Sequence, residues 1–347
     1  MKTVKLTGIR ETEMFEVDTP RIENDTDVLL KVEMAGVCGS DVHYYTTGRI
    51  GSQVVQYPFT VGHECSATVE ETGAGVTGVK AGDRVAVDPA MSCGHCDQCL
   101  AGRAHTCRNL RFLGCPGQSE GCLSEYIVMP EKSCYPIPES TTLEQGALVE
   151  PLSIGVYGFR QAELEGKARI GILGCGPIGL SVIAAASSAG VESIYATDRI
   201  DARLKAAREL GAVWTGNADE ADVVKEIGEK EPLLLDAVFE CCGRQEALDQ
   251  AVSLLKPGGK LMLIGIPEVD RVSFVIDNFR RREICLQNVR RQNECVQPAI
   301  NLLDEGKTDL DFLITHRFSL EQTGQAFDLV ADYGDGVIKA MIRVDPE

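Results

Sequence analysis

Cys93, Cys96, Cys99 and Cys107 fall in a single short run, spaced C-x2-C-x2-C-x7-C. Four thiolates on one loop can close a tetrahedron around a zinc ion. That leaves no corner for water, which makes such a site structural. Binding would fix a loop that apolar burial alone could not hold. An iron–sulfur cluster competes, because three close cysteines and a fourth also suit it. The bacterial ferredoxin run, however, has a shorter last gap and a proline after its fourth cysteine, and here Arg108 follows Cys107. A nucleic-acid-binding zinc ribbon would want basic neighbours, and this loop has few. The chain has 14 cysteines, and those outside the run are scattered. They read as small core residues rather than a disulfide framework.

A second chemical pattern is Gly174-Cys175-Gly176-Pro177-Ile178-Gly179, a G-x-G-x-x-G turn. An apolar stretch precedes it, a small-residue stretch follows, and Asp198 ends the next apolar run. In a dinucleotide site Gly174 permits the tight turn and Gly176 lets backbone approach a pyrophosphate at the helix N-terminus. Gly179 lets helix and strand pack closely. Asp198 would accept hydrogen bonds from the adenosine ribose and repel a 2′-phosphate, favouring NAD over NADP. Arg199 and Arg203 work the other way, since either can shield a phosphate. Pro177 and Ile178 belong to the same turn. Ile264 and Ile266 end a later strand, KPGGKLMLIGI, and are expected to line the cofactor.

A third set is dispersed. Cys38 lies in GVCGSDVH, and His63-Glu64 follow Gly62. His63-Glu64 does not begin an HExxH motif, because Ala67 stands where the second histidine belongs. One Cys, one His and one Glu, read by type and spacing alone, are equally compatible with a metal site and with ordinary packed residues.

The elements that must position these groups come in two textures. The first half is made of short runs rich in Val, Thr and Gly, such as DVLLKVEMAGVCG, GDRVAVDPA and SEYIVMP, which predict a folded-over β domain. From about Ser153 strands alternate with helices: ARIGILG, PIGLSVIAAASSAG, ESIYATD, RIDARLKAARELGA, LLLDAVFECCG and KPGGKLMLIG. That alternation predicts an α/β doubly wound parallel sheet. The expected division is 1–152 for the β domain, 153–287 for the nucleotide domain, and 288–347 returning to the first. At 347 residues the chain is long enough for two cores.

A net charge of −18 argues against a nucleic-acid reader and against an anionic membrane surface. Residues 170–191 carry no charge and reach membrane-spanning length, but five glycines and Pro177 interrupt them. Strand, turn and helix explain that stretch better than a span. The N-terminal segment MKTVKLTGIRE has no apolar core, so the expected location is the cytoplasm. Cys241-Cys242 reads as a packed strand end, and Arg280-Arg281-Arg282 as a solvated charge run.

GVCGSD, GHE, the four-cysteine run, GDRV and GCGPIG together resemble the medium-chain zinc-dependent alcohol dehydrogenases. VCGSDVHYYTTGRIG, GALVEPLSIGVYG and THRFSLEQTGQAF resemble the sorbitol (polyol) dehydrogenase branch in particular. The resemblance implies a GroES-like catalytic domain beside a Rossmann-type NAD domain, with one catalytic and one structural zinc. It matches Cys38, His63 and Glu64 to the catalytic ligands. Glu150 matches a glutamate that holds or replaces the zinc-bound water. Ser40 and His43 match a proton relay, and Tyr44, Glu150 and Arg290 match substrate-contacting positions. The implied reaction oxidises a secondary alcohol of a polyol to a ketose, with NAD taking the hydride, in a homodimer or homotetramer. Two segments depart from the branch. Arg290-Arg291 precede Asn293 where polyol enzymes often carry Arg-Tyr, so Arg291 adds a guanidinium that favours an acidic sugar. LGCPGQSEGC also differs from the form expected of a sorbitol dehydrogenase. The alternatives are therefore a sugar acid, butanediol or threonine as substrate, or a non-catalytic NAD-binding protein.

Overall fold

The structure is a computed structural model that describes residues 1–164, 167–306 and 308–344. The chain forms two units: Met1–Glu150 with Asp309–Glu347, and Pro151–Thr308.

The first unit is built on a seven-stranded sheet. Its path runs Cys134–Pro136, Arg84–Val87, Glu64–Thr72, Asp27–Gly36, Lys339–Arg343 and Ile314–Ser319, with Tyr126–Pro130 added beside Asp27–Gly36. Asp27–Gly36 is ten residues long, and its two halves pair with different strands on one edge. Val28 to Lys31 face Met129 to Tyr126, while Met34 to Gly36 face Arg343 to Met341. The other edge pairs throughout with Glu64–Thr72, setting Gly36 opposite Glu64. Val28, Leu30 and Val32 point into the core with Val69, Val85 and Ile342. The alternation of this strand sets that face, because successive side chains leave a strand on opposite sides.

The second unit carries the predicted doubly wound sheet. Its six strands are all parallel, in the order Trp214–Asn217, Ser193–Asp198, Arg169–Leu173, Leu235–Glu240, Leu255–Leu263, Cys285–Asn288. Strand order reverses beside Arg169–Leu173, where such sheets open a crevice at their carboxyl ends. The charge-free stretch resolves into the strand Arg169–Leu173, a turn and the helix Pro177–Ser188. No helix among the described residues is long and apolar enough to cross a membrane.

One boundary differs from expectation. Residues 288–308 stay with the second unit instead of returning to the first. The helix Val296–Asp304 lies in this stretch and buries Val296, Ala299 and Ile300, so it packs as a core element rather than a connector. The helix Leu143–Gln161 runs across the other boundary and starts in a capping box. Gln145 N–H donates to Thr142 Oγ1 at 3.1 Å, and Thr142 N–H donates to Gln145 Oε1 at 2.9 Å.

Candidate functional site

The four-cysteine lobe is assembled from local elements. Cys96 precedes the short helix Asp97–Leu100, and Cys107 follows the single turn Ala104–Thr106. The sulfurs of Cys96 and Cys99 are 3.6 Å apart, those of Cys96 and Cys107 3.8 Å, and those of Cys93 and Cys99 4.0 Å. A tetrahedral ion with Zn–S bonds of about 2.3 Å requires sulfurs about 3.8 Å apart. The lobe therefore fits a single ion. A cluster with each thiolate on a separate iron would need wider spacing. Backbone N–H donors aim at the sulfurs: chiefly that of His95 brings Cys93 down to about 6, and those of Cys99 and Arg108 lower Cys96. His95 is turned away from ligation, since its Nδ1 lies 2.8 Å from Cys93 O. Arg108 pairs with Asp97 through two contacts, 2.5 and 2.8 Å, and ties the lobe's end to its helix.

The dispersed set also converges. Ligand atoms of Cys38, His63 and Glu64 lie within 4.8 Å of one another. Cys38 caps the helix Gly39–Thr47, His63 follows the left-handed Gly62 (φ +99°), and Glu64 opens its strand. Asp41, in the first turn of that helix, ties the Cys38 and Gly62-His63 segments together. It accepts from Cys38 N–H at 3.2 Å and Gly62 N–H at 3.1 Å, and its Oδ1 lies 3.4 Å from His63 Nδ1. A carboxylate behind a histidine fixes the ring's tautomer and orientation and leaves the other nitrogen for a metal. Burial opposes charging the His63 ring, but Asp41 and Cys38 outweigh it and push its pKa well above the ordinary value. Burial, and then the charge of Glu64, pushes the Cys38 thiol up.

Lys339 completes this pocket. It is 1% exposed, pairs with Glu64 Oε2, and donates to Val37 O at 3.0 Å. The strand register that places Met341 opposite Gly36 brings it there. A side chain at Gly36 would collide with the Glu64 carboxylate and come within 2.9 Å of Lys339 Cε, so this glycine makes room for the pair. With a metal bound, His63 would be neutral and Cys38 a thiolate, so Asp41, Glu64 and Cys38 would carry three negative charges against the single positive charge of Lys339 in a buried site. A divalent cation is the charge such a donor set balances. Cys, His and carboxylate donors also suit zinc in type.

Glu150 lies outside the three-ligand cluster but within its field. It is buried in the helix Leu143–Gln161, and its carboxyl is pushed up to about 8, by burial first and by Glu64 among its neighbours, against His63 and Lys339. Ser40 donates to Cys38 Sγ at 3.3 Å. His43 sits three residues on, along the same face of its helix. Tyr44 is buried and its hydroxyl donates to Gln53 Oε1 at 3.2 Å. Arg290 and Arg291 belong to the other unit, in the loop after Cys285–Asn288, where Arg291 has a left-handed backbone (φ +56°).

The glycine turn has the expected form. Gly174 is left-handed (φ +97°) and Gly176 caps the helix, with Pro177 as its first residue and Ile178 next. A side chain on Gly179 would strike Gly174 O. Asp198 Oδ2 accepts from Cys175 N–H at 2.7 Å, tying the turn to the next strand, and Oδ1 accepts from Arg199 and Ile200 N–H at 2.8 and 2.9 Å. Arg203 is buried under the turn near Gly176. Ile264 packs against Gly158, and Ile266 is exposed. Arg281 pairs with Asp277 at 2.7 Å and Arg282 donates to three carbonyls, so the arginine triplet is committed to its own helix and its neighbours. Cys242 is pushed well up by burial and then by Glu240, and Cys241 is raised too, by burial first. Thiols held protonated make a poor redox pair.

Asp41 and Lys339 had no role in the sequence reading. Asp41 stood inside the quoted GVCGSD motif, so position alone pointed to it. Lys339 left one signal, a lysine in the apolar strand GVIKAMIRV.

A parallel-sheet nucleotide fold joined to a β unit with two metal-competent clusters defines a class, the metal-dependent dinucleotide oxidoreductases. Comparison with known proteins gives the family. The "alcohol dehydrogenase GroES-like domain" matches residues 24–139 and the "zinc-binding dehydrogenase" domain residues 177–305. Sorbitol dehydrogenase of Bacillus subtilis is 35% identical over 99% of this chain and 97% of its own length. L-Idonate 5-dehydrogenase of Vitis vinifera is 34% identical over 92% of this chain and 88% of its own. A zinc-binding dehydrogenase of Sinorhizobium meliloti, solved with NADP bound, superposes with a TM-score of 0.89 at 30% identity over 99% of each chain. The chain belongs to the zinc-binding alcohol dehydrogenase family.

Proposed function

We propose that this enzyme oxidises a secondary alcohol of a polyol, of the sorbitol, xylitol or L-arabinitol kind, to a ketose with NAD. The observation that carries the reading is the convergence of Cys38, His63 and Glu64 in a buried pocket backed by Asp41 and Lys339. These residues would hold the catalytic zinc, with Glu150 beside them, and Cys93, Cys96, Cys99 and Cys107 would hold a structural one. Bound zinc supplies acidification of the substrate hydroxyl, and bound NAD supplies the hydride acceptor. Asp41 fixes the His63 ring, and Lys339 holds the Glu64 carboxylate in place. Ser40 takes up the hydroxyl proton while releasing its own, and His43 carries a proton on toward solvent. Glu150 and Tyr44 orient the remaining hydroxyls, with Arg290 as a further contact. Gly174, Gly176 and Gly179 bring backbone to the pyrophosphate, Asp198 takes the adenosine ribose, and Ile264 and Ile266 line the cofactor. The family resemblance supports a cytoplasmic dimer or tetramer.

A sugar acid is the second reading, favoured by Arg290-Arg291, two adjacent guanidiniums able to bind a carboxylate. The resemblance to L-idonate 5-dehydrogenase points the same way. NADH absorbance with sorbitol, xylitol, arabinitol, L-idonate and 2,3-butanediol separates the two. Faster turnover of polyols supports the first reading, and faster turnover of L-idonate replaces it. No turnover of any substrate, with two zinc ions bound per chain, would refute both.

A further inference from the structure

Asp198 is one of two carboxylates at the carboxyl end of its strand pair. The parallel register sets Asp198 opposite Asn217, so the residues just beyond them emerge side by side. Arg199 and Asp219 meet there, with Arg199 Nε 2.7 Å from Asp219 Oδ2. Asn217 builds the contact from below. Its Oδ1 accepts from Asp219 N–H at 3.1 Å, and its Nδ2 donates to Arg199 O at 3.3 Å and Asp201 Oδ1 at 3.0 Å. Arg203, the other cation weighed against NAD preference, is buried beneath the glycine turn. Arg199 is exposed, and it neighbours Asp198 directly.

We propose that Asp219 is a specificity-determining residue that enforces NAD over NADP by occupying the guanidinium of Arg199. The inference rests on the dinucleotide reading above. NADP differs from NAD by a 2′-phosphate bearing nearly two negative charges, and an arginine at this end of the strand is the group that accommodates it. The Sinorhizobium meliloti relative, solved with NADP, shows that this fold admits the larger cofactor. In this chain the available guanidinium is taken by an acid. A phosphate arriving there must displace Asp219 and remain beside two carboxylates. Because the pair is exposed, its own stability is small. Its effect lies in the charge a phosphate would meet, which amounts to about a tenfold discrimination at a separation of a few ångströms in water.

The test is calorimetric binding of ADP-ribose and 2′-phospho-ADP-ribose to the full zinc-loaded chain, which reads affinity without turnover. Asp219→Ala should shift the ratio of affinities toward the phosphorylated ligand by about tenfold. Asp219→Glu, which can still pair with Arg199, should keep the wild-type ratio. The double variant Asp219→Ala/Arg199→Ala should lose the gain. A ratio unmoved by Asp219→Ala, or a gain that survives without Arg199, overturns the proposal while leaving the dinucleotide reading intact. If wild-type protein binds neither ligand, the dinucleotide reading itself falls and the proposal with it.

Discussion

The two metal-competent clusters of the first unit are made in opposite ways. The lobe of Cys93, Cys96, Cys99 and Cys107 is contiguous, partly exposed, and supported by its own turns and one surface ion pair. The cluster of Cys38, His63 and Glu64 is gathered from separate strand and helix ends, and is backed by a buried lysine from near the far end of the sheet. A saturated site needs only local geometry, because its task is to hold a loop. A site with an exchangeable position must keep its ligands fixed while one corner changes occupant, so its rigidity has to come from the surrounding fold.

Four substitutions can break or sharpen this contrast. Cys38→Ala should have the largest effect. Turnover should fall by about a thousandfold or more, as expected when a Lewis-acid centre worth several kcal/mol is lost. Binding of NAD should persist, which fluorescence titration checks. Lys339→Met should come next, because it leaves the Glu64 carboxylate buried without its counter-charge. Removing one partner of a buried pair costs about 3–5 kcal/mol, measurable by denaturant unfolding. The loss should be greater in chelator-treated protein than in zinc-loaded protein, since the ion supplies the missing charge. Asp41→Asn keeps size but removes the anion behind His63. Zinc affinity at that site should drop by about 10–100-fold in competition with a chelator, with the lobe's zinc unaffected. Cys96→Ser should change turnover least. Its signature should be one zinc fewer per chain and faster proteolysis within residues 93–107, a local opening that leaves the sheet intact. A Cys96→Ser variant that lost activity as completely as Cys38→Ala would erase the distinction between the two clusters.

The same contrast governs what could be read before folding. The lobe was legible because all its ligands share one run of sequence, and the glycine turn because its strand, glycines and Asp198 form one local unit. The parallel sheet was legible from alternating apolar runs and amphipathic helices. Cys38, His63 and Glu64 became candidates only through family resemblance, since their meeting depends on the pairing of Gly36 with Glu64. Lys339 was legible only as a lysine inside the apolar run GVIKAMIRV, which does not name its partner, far away along the chain. The boundary at Thr308 was missed for a related reason. The helix Val296–Asp304 has an apolar stripe, which tells that it packs but not against which sheet.

The strand Lys339–Arg343 carries a timing consequence. During synthesis Cys38, His63, Glu64 and Glu150 leave the ribosome long before Lys339, with the whole nucleotide unit made in between. A nascent chain must therefore shelter an acidic, half-built hollow until its last sheet strand slots in. Metal uptake at this centre should accordingly be a late event in biogenesis, whereas the cysteine lobe can load as soon as its own loop emerges.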